Sequence, residues 1–219
     1  MDRIIRTAAL LAAGIACGGA AVASTGTSTV NAGSEGWITQ SGRTNNTGFT
    51  GGIQNLYAGE QGEYFNDFMT FTLPSFEIGG ATLNIYNSSA SQDQDPDAVY
   101  ELHAATSYSF AGLMAGDVLG TVSLQAADNG VDHYVSIALN DEGVAVLNAN
   151  RGRTFTFGGD LVTTTPADCI DCTYAFGNTI GTPLAFLSVT SVPEPGGLAL
   201  MAAGLGVAGL AARRRRLRG

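Results

Sequence analysis

The sequence predicts an all-β fold: an antiparallel β-sandwich of jelly-roll type with one short helix, framed by an N-terminal signal helix and a C-terminal transmembrane helix. Three observations carry that expectation. Short runs of alternating apolar and polar residues recur from Phe68 to Thr190, as half-buried strands require. Clusters of Gly, Asn, Asp and Pro punctuate them, at Pro74-Ser75, Gly79-Gly80, Asn87 to Asp97, Asn129-Gly130 and Gly158-Gly159. No long helical period separates the runs, which argues against the crossovers of a parallel sheet.

Taken in order, residues 1–23 read as a signal peptide. Arg3 and Arg6 make a basic start, Ala8 to Ala16 an apolar stretch, and Ala21-Val22-Ala23 a small-x-small site for signal peptidase before Ser24. A lipoprotein signal ending at Cys17 is the alternative, but Gly14 stands where such a signal carries leucine. Residues 24–65 form a Gly/Ser/Thr-rich lead holding the first strands of the sandwich; up to about Gly52 it has few apolar residues apart from Trp37, Ile38 and Phe49. Residues 66–191 are the body of the sandwich.

Within that body, Met69 to Leu73 alternates. So does Ala81 to Tyr86, with Ala81, Leu83 and Ile85 on one face and Tyr86 on the other. Val99 to Ala105, Val118 to Leu124, Tyr134 to Leu139, Phe155 with Phe157, and Leu184 to Thr190 continue the series. The helix is expected after Asn140. That residue is a good N-cap, Asp141 and Glu142 complement the first turn, Val144, Val146 and Leu147 supply an apolar side, and Asn150-Arg151-Gly152 ends it.

Residues 192–219 close the chain with Pro193-Glu194-Pro195, an uncharged apolar stretch from Gly196 to Ala212, and Arg213, Arg214, Arg215, Arg216 and Arg218. As a helix the apolar stretch spans roughly 25 Å, slightly short of an average bilayer core. Arginines on one side hold that side in the cytoplasm and set everything before Pro193 outside. A plain single-span anchor satisfies the same hydropathy.

The order of those parts resembles the PEP-CTERM sorting signal. The resemblance implies transient insertion in the inner membrane, an exosortase-like membrane protease as partner, and a product at the cell surface or outside. Upstream, Asn66-Asp67-Phe68-Met69-Thr70-Phe71-Thr72-Leu73 and Gly80-Ala81-Thr82-Leu83-Asn84-Ile85-Tyr86-Asn87 resemble the opening strands of DNRLRE-like β-sandwich modules. Thr72 and Asn84 replace that pattern's Asp and Arg. These modules are similar to carbohydrate-binding jelly rolls, so the resemblance implies a sandwich in an extracellular setting and carries no catalytic residue.

Charge narrows the partners. From Ser24 to Val192 there are seventeen acidic residues against Arg43, Arg151 and Arg153, a net charge of −14. That field repels nucleic acid and anionic lipid from the mature domain. Exopolysaccharide is the expected associate outside the cell.

Asp93, Asp95 and Asp97 alternate in one loop, with Glu101 following, and could turn oxygens toward a calcium ion. The EF-hand glycine and terminal glutamate are missing, and a solvated turn explains the same residues. Otherwise no cofactor is expected. Cys169 and Cys172 read as a short disulfide in an oxidising compartment, a redox pair or zinc site being the alternatives.

His103 and His133, the chain's histidines, lie beside no nucleophile motif, so the chain is expected not to be an enzyme, with a secreted hydrolase as the weakest rival. The leading expectation is an exported structural or polysaccharide-associated protein. A carbohydrate-binding module, supported by calcium and using its tyrosines, is the runner-up.

Overall fold

In the computed structural model the described residues are 26–48, 54–60, 62–87, 92–93, 98–124, 132–162, 173–179, 184–192 and 204–206. Residues 26–192 form one compact unit, and residues 1–25 with 193–219 form a second. Within the second, residues 204–206 are helical.

The first unit is a sandwich of two antiparallel sheets. The smaller contains β1 (Thr27–Asn31), β13 (Ala185–Ser191), β6 (Ile78–Asn87) and β10 (His133–Ala138), in that spatial order. The larger runs β7 (Gln92–Asp93), β12 (Thr173–Thr179), β4 (Gln54–Glu60), β5 (Tyr64–Thr72), β11 (Thr154–Val162), β8 (Val99–Ala104) and β9 (Val118–Ser123). Alongside β5 lie β2 (Ser34–Thr39) and, beyond it, β3 (Thr44–Gly48).

The alternating patterns place the core. On β6, Leu83 and Ile85 are fully buried while Tyr86 is half-buried on the other face. On β13, Ala185, Leu187 and Val189 point inward between half-buried Phe186, Ser188 and Thr190. They meet Met69, Phe71, Phe157 and Leu102 of the larger sheet. Phe71 and Phe157 pack edge to face at 5.7 Å, and Tyr100 and Phe176 at 4.9 Å.

Helix α2 (Asp141–Ala149) forms where the cap residues require it. Asn140 accepts a hydrogen bond from the Gly143 amide at 2.8 Å, and Asn150 caps the other end. Leu147 enters the core. Asn148 then fastens the helix to β6: its Oδ1 accepts from the Ile78 amide at 2.9 Å and its Nδ2 donates to the Ile78 carbonyl at 2.8 Å. The side chain serves Ile78 as a neighbouring strand would. Asn148→Ala leaves both buried groups unpaired and should cost about 2 kcal/mol, read from the urea midpoint.

Helix α1 (Phe110–Leu113) is an addition that the sequence pattern does not announce. It covers the outer face of the larger sheet, where Leu113 joins Ile38 and Phe68 in a second small core with Phe110 and Met114 at its margin. Ser109 caps it by accepting from the Gly112 amide at 3.1 Å.

Two expected breaks are strand interior. Gly79-Gly80 lies inside β6 and Gly158-Gly159 inside β11. The second pair is there for room on both faces. A β-carbon on Gly158 would strike the Leu113 carbonyl of α1, and one on Gly159 would strike the Tyr100 hydroxyl and Asp67 carboxyl inside. The lead is likewise integral to the sandwich: β1 pairs with β13, β2 with β5, and β4 with β12.

Candidate functional site

Polar chemistry collects in three places. The first is inside the sandwich. Asp67 is fully buried on β5 and accepts the Tyr100 hydroxyl at 2.8 Å, while its Oδ2 makes no hydrogen bond. Burial pushes its pKa up to about 8, with the charges of Asp160 and Glu35 adding to the rise and the Tyr100 bond opposing it. Burial and Asp67 together hold the Tyr100 phenol well above its ordinary range.

Glu35, 2% exposed on β2, rises to about 7 for the same reason. Its carboxyl lies near the amides of Leu184 and Ala185, which lower the pKa, but neither oxygen has hydrogen-bond geometry. Asp67 is therefore held largely neutral at neutral pH and Glu35 about half so, the neutral form being the cheaper state for a carboxyl without a cation.

The second place is the outer face of the larger sheet. Strand register sets Glu101 directly opposite Asp160, and His103 follows Glu101 on the same face. The His103 Nε2 lies 3.5 Å from a Glu101 oxygen, an ion pair only when the ring is protonated, and Nδ1 lies 3.1 Å from the Gly116 carbonyl. Among the described residues no hydrogen bond reaches Nε2. Burial raises the Asp160 pKa, against the Leu161 amide and the His103 charge. Asp160 alone of the three lines the adjacent cleft of about 600 Å³, with Tyr64, Phe110 and Met114.

The third is the outer face of the smaller sheet. Tyr86 and Tyr134 sit in register across β6 and β10, and Phe186 reaches the same patch from β13. Tyr134 meets Tyr86 edge to face at 5.5 Å and Phe186 at 5.1 Å. The Tyr86 hydroxyl donates a hydrogen bond to Asp132; the burial of Tyr86, followed by this bond and the Asp132 charge, raises the phenol pKa. Beneath the rings, Asn84 accepts from Ser136 at 2.7 Å and donates to Ser188 at 3.3 Å.

The calcium expectation is only partly visible. Asp93 pairs with Thr173 on β12 and Glu101 with Asp160 on β11, so these two acids lie on strands that are not neighbours. Asp95 and Asp97 fall outside the described residues, as do Cys169, Cys172, Pro193, Glu194, Pro195, Arg213, Arg214, Arg215, Arg216 and Arg218. Among the described residues no three His, Cys, Asp or Glu side chains could hold one metal ion. His133 opens β10 opposite Asn87. Sequence reasoning missed Glu35, Asp67 and Asp160; the one signal for Asp67 was that it shares an alternating face with Met69 and Phe71.

With the sandwich in view, the chain's tail carries a motif found in other proteins. Residues 191–216 match the PEP-CTERM protein-sorting motif. The PEP-CTERM match begins on the last residue of β13, so the sorting segment follows the folded domain without a spacer of its own. It marks an exported protein processed by an exosortase-type system, as the order of Pro-Glu-Pro, apolar stretch and arginines leads one to expect. Among the described residues no helix is long and apolar enough to cross a membrane; the apolar stretch of the PEP-CTERM segment falls almost wholly outside them. A comparison with curated proteins returns no match.

Proposed function

We propose that the mature chain is a non-enzymatic protein of the cell surface or extracellular matrix, retained among exopolysaccharide after its tail is removed. The sorting motif directly behind a compact acidic sandwich carries the reading. The placement of its polar groups agrees with it. Among the described residues no hydroxyl bonds the His103 Nε2, and Asp160 is the one acid lining the cleft, its register partner Glu101 lying outside that lining.

The test is intact mass. The protein is isolated from membrane and extracellular fractions of its native host, beside a variant carrying Glu194→Ala and Pro195→Ala. A shortened extracellular species that disappears in the variant is the expected result. A full-length C-terminus kept in the inner membrane by both proteins would instead make the chain a single-span anchored domain. One observation favours the second reading, a carbohydrate-binding module: the three-ring patch on the smaller sheet, whose ring type and polar neighbours suit a sugar chain.

A further inference from the structure

The two sheets divide the charge unequally. The strands of the larger sheet carry Glu35, Glu60, Asp67, Asp93, Glu101 and Asp160. The strands of the smaller sheet, β1, β6, β10 and β13, contain no Asp, Glu, Lys or Arg at all. In a domain of net charge −14, four strands without a charged residue side by side are a distinct surface, flanked at its ring end by Asp132, which precedes β10 and bonds the Tyr86 hydroxyl.

Its outward residues are of two kinds. At one end stand the rings of Tyr86, Tyr134 and Phe186, with Tyr134 38% exposed. Across the rest run small hydroxyls and amides in register: Thr29 opposite Ser188, Ser188 opposite Thr82, and Asn31 opposite Phe186. We propose that this face binds a single chain of an uncharged polysaccharide, one sugar resting its C–H face on the Tyr134 patch while its neighbours hydrogen-bond along the Ser/Thr/Asn rows. The proposal rests on the extracellular reading above for its biological setting only.

The chemistry selects that occupant. Ring faces take the apolar side of a pyranose, and hydroxyls and amides both donate and accept, as sugar hydroxyls need. An anionic polymer would meet the repulsion of the whole domain, and a cationic one would be drawn to the acids of the other sheet. Ring geometry narrows it further. The planes meet at 72° and 69°, so the patch is no flat platform for a crystalline surface and suits one flexible chain.

The test uses the full-length protein in a zwitterionic, sugar-free detergent, run through native gels containing soluble xylan, mixed-linkage β-glucan, galactomannan or dextran, with alginate as the anionic control. Retardation by at least one neutral polymer and not by alginate is expected. Tyr134→Ala, Phe186→Ala and Ser136→Arg should each weaken it at least tenfold at unchanged Tm, the last by blocking the face without removing a ring. Tyr64→Ala, in the cleft of the other sheet, should leave it unchanged. The proposal is overturned if no neutral polymer retards the protein, if alginate does so best, or if Tyr64→Ala abolishes binding that Tyr134→Ala spares. It also falls if the wild type is a dimer that Tyr134→Ala dissociates, since the face would then serve a second copy of this chain. Binding can succeed where sorting fails, and the reverse, so the two readings are judged separately.

Discussion

Gly159→Ala is expected to destabilise the domain by about 3–5 kcal/mol, enough to leave much of it unfolded. The added methyl has nowhere to go. On one side is the Tyr100 hydroxyl and on the other the Asp67 carboxyl, and these two are bonded to each other at 2.8 Å in the core. Moving Tyr100 aside breaks that bond, strands a buried carboxyl, and disturbs the ring contact with Phe176. Phe176 itself is held in a left-handed backbone conformation, φ 77°, by an Asn87 side chain that accepts its amide proton at 2.9 Å, and has little freedom to follow. Gly33→Ala is the control: its nearest neighbour would be the Thr70 carbonyl at 3.7 Å, an ordinary contact. Urea unfolding of the two variants settles the point. A Gly159→Ala midpoint within error of Gly33→Ala would show that the core has slack there.

The second large effect is on pH. Asp67 titrates near 3.8 when unfolded and at about 8 when folded, and Glu35 moves from 4.5 to about 7. Between those limits the folded state holds protons that the unfolded state has lost, so stability falls as pH rises. The contribution is complete below about pH 4, drains across the window, and is spent above pH 8. For Asp67, three pH units inside the window at about 1.4 kcal/mol each amount to a loss on the order of 4 kcal/mol between pH 5 and 8. The two acids repel each other when charged, so they titrate as a coupled set.

Asp67→Asn keeps an acceptor for Tyr100 and removes the titration. Its unfolding free energy should change far less between pH 5 and 8.5 than that of the wild type, and should exceed it at pH 8.5. A wild-type profile flat or rising over that range would refute the assignment of these carboxyls as neutral.

Much of the sandwich is legible in the sequence because its strands alternate. Leu83 and Ile85 against Tyr86, and Leu187 and Val189 against Ser188, announce their faces without help. Helix α2 is legible because Asn140, Asp141, Glu142 and Asn150 carry its ends locally. What was hidden depends on contacts distant in the chain. Gly158 and Gly159 look like a turn until α1 and Tyr100 are seen to need their space. Helix α1 is four residues long, too short for any period to show.

The candidate sites follow the same division. Tyr86 could be assigned outward from alternation alone, but its meeting with Tyr134 and Phe186 requires the order β13, β6, β10. Glu35 and Asp67 point into the core against their type, and no pattern rule places an acid there. The tail is the reverse case: its three parts are contiguous, so they read without any fold.

The position of β13 has a mechanical consequence. It is the last strand of the domain, yet it lies between β1 and β6 and is bonded along both edges. The Ser191 amide is tied at 2.9 Å to the carbonyl of Gly26, the first residue of the same domain. Tension arriving through residue 192 runs along this strand and loads both ladders together, in shear. An edge strand in the same place would peel open one bond at a time. The C-terminal side of the sandwich is thus a firm end, where a load must break two ladders at once.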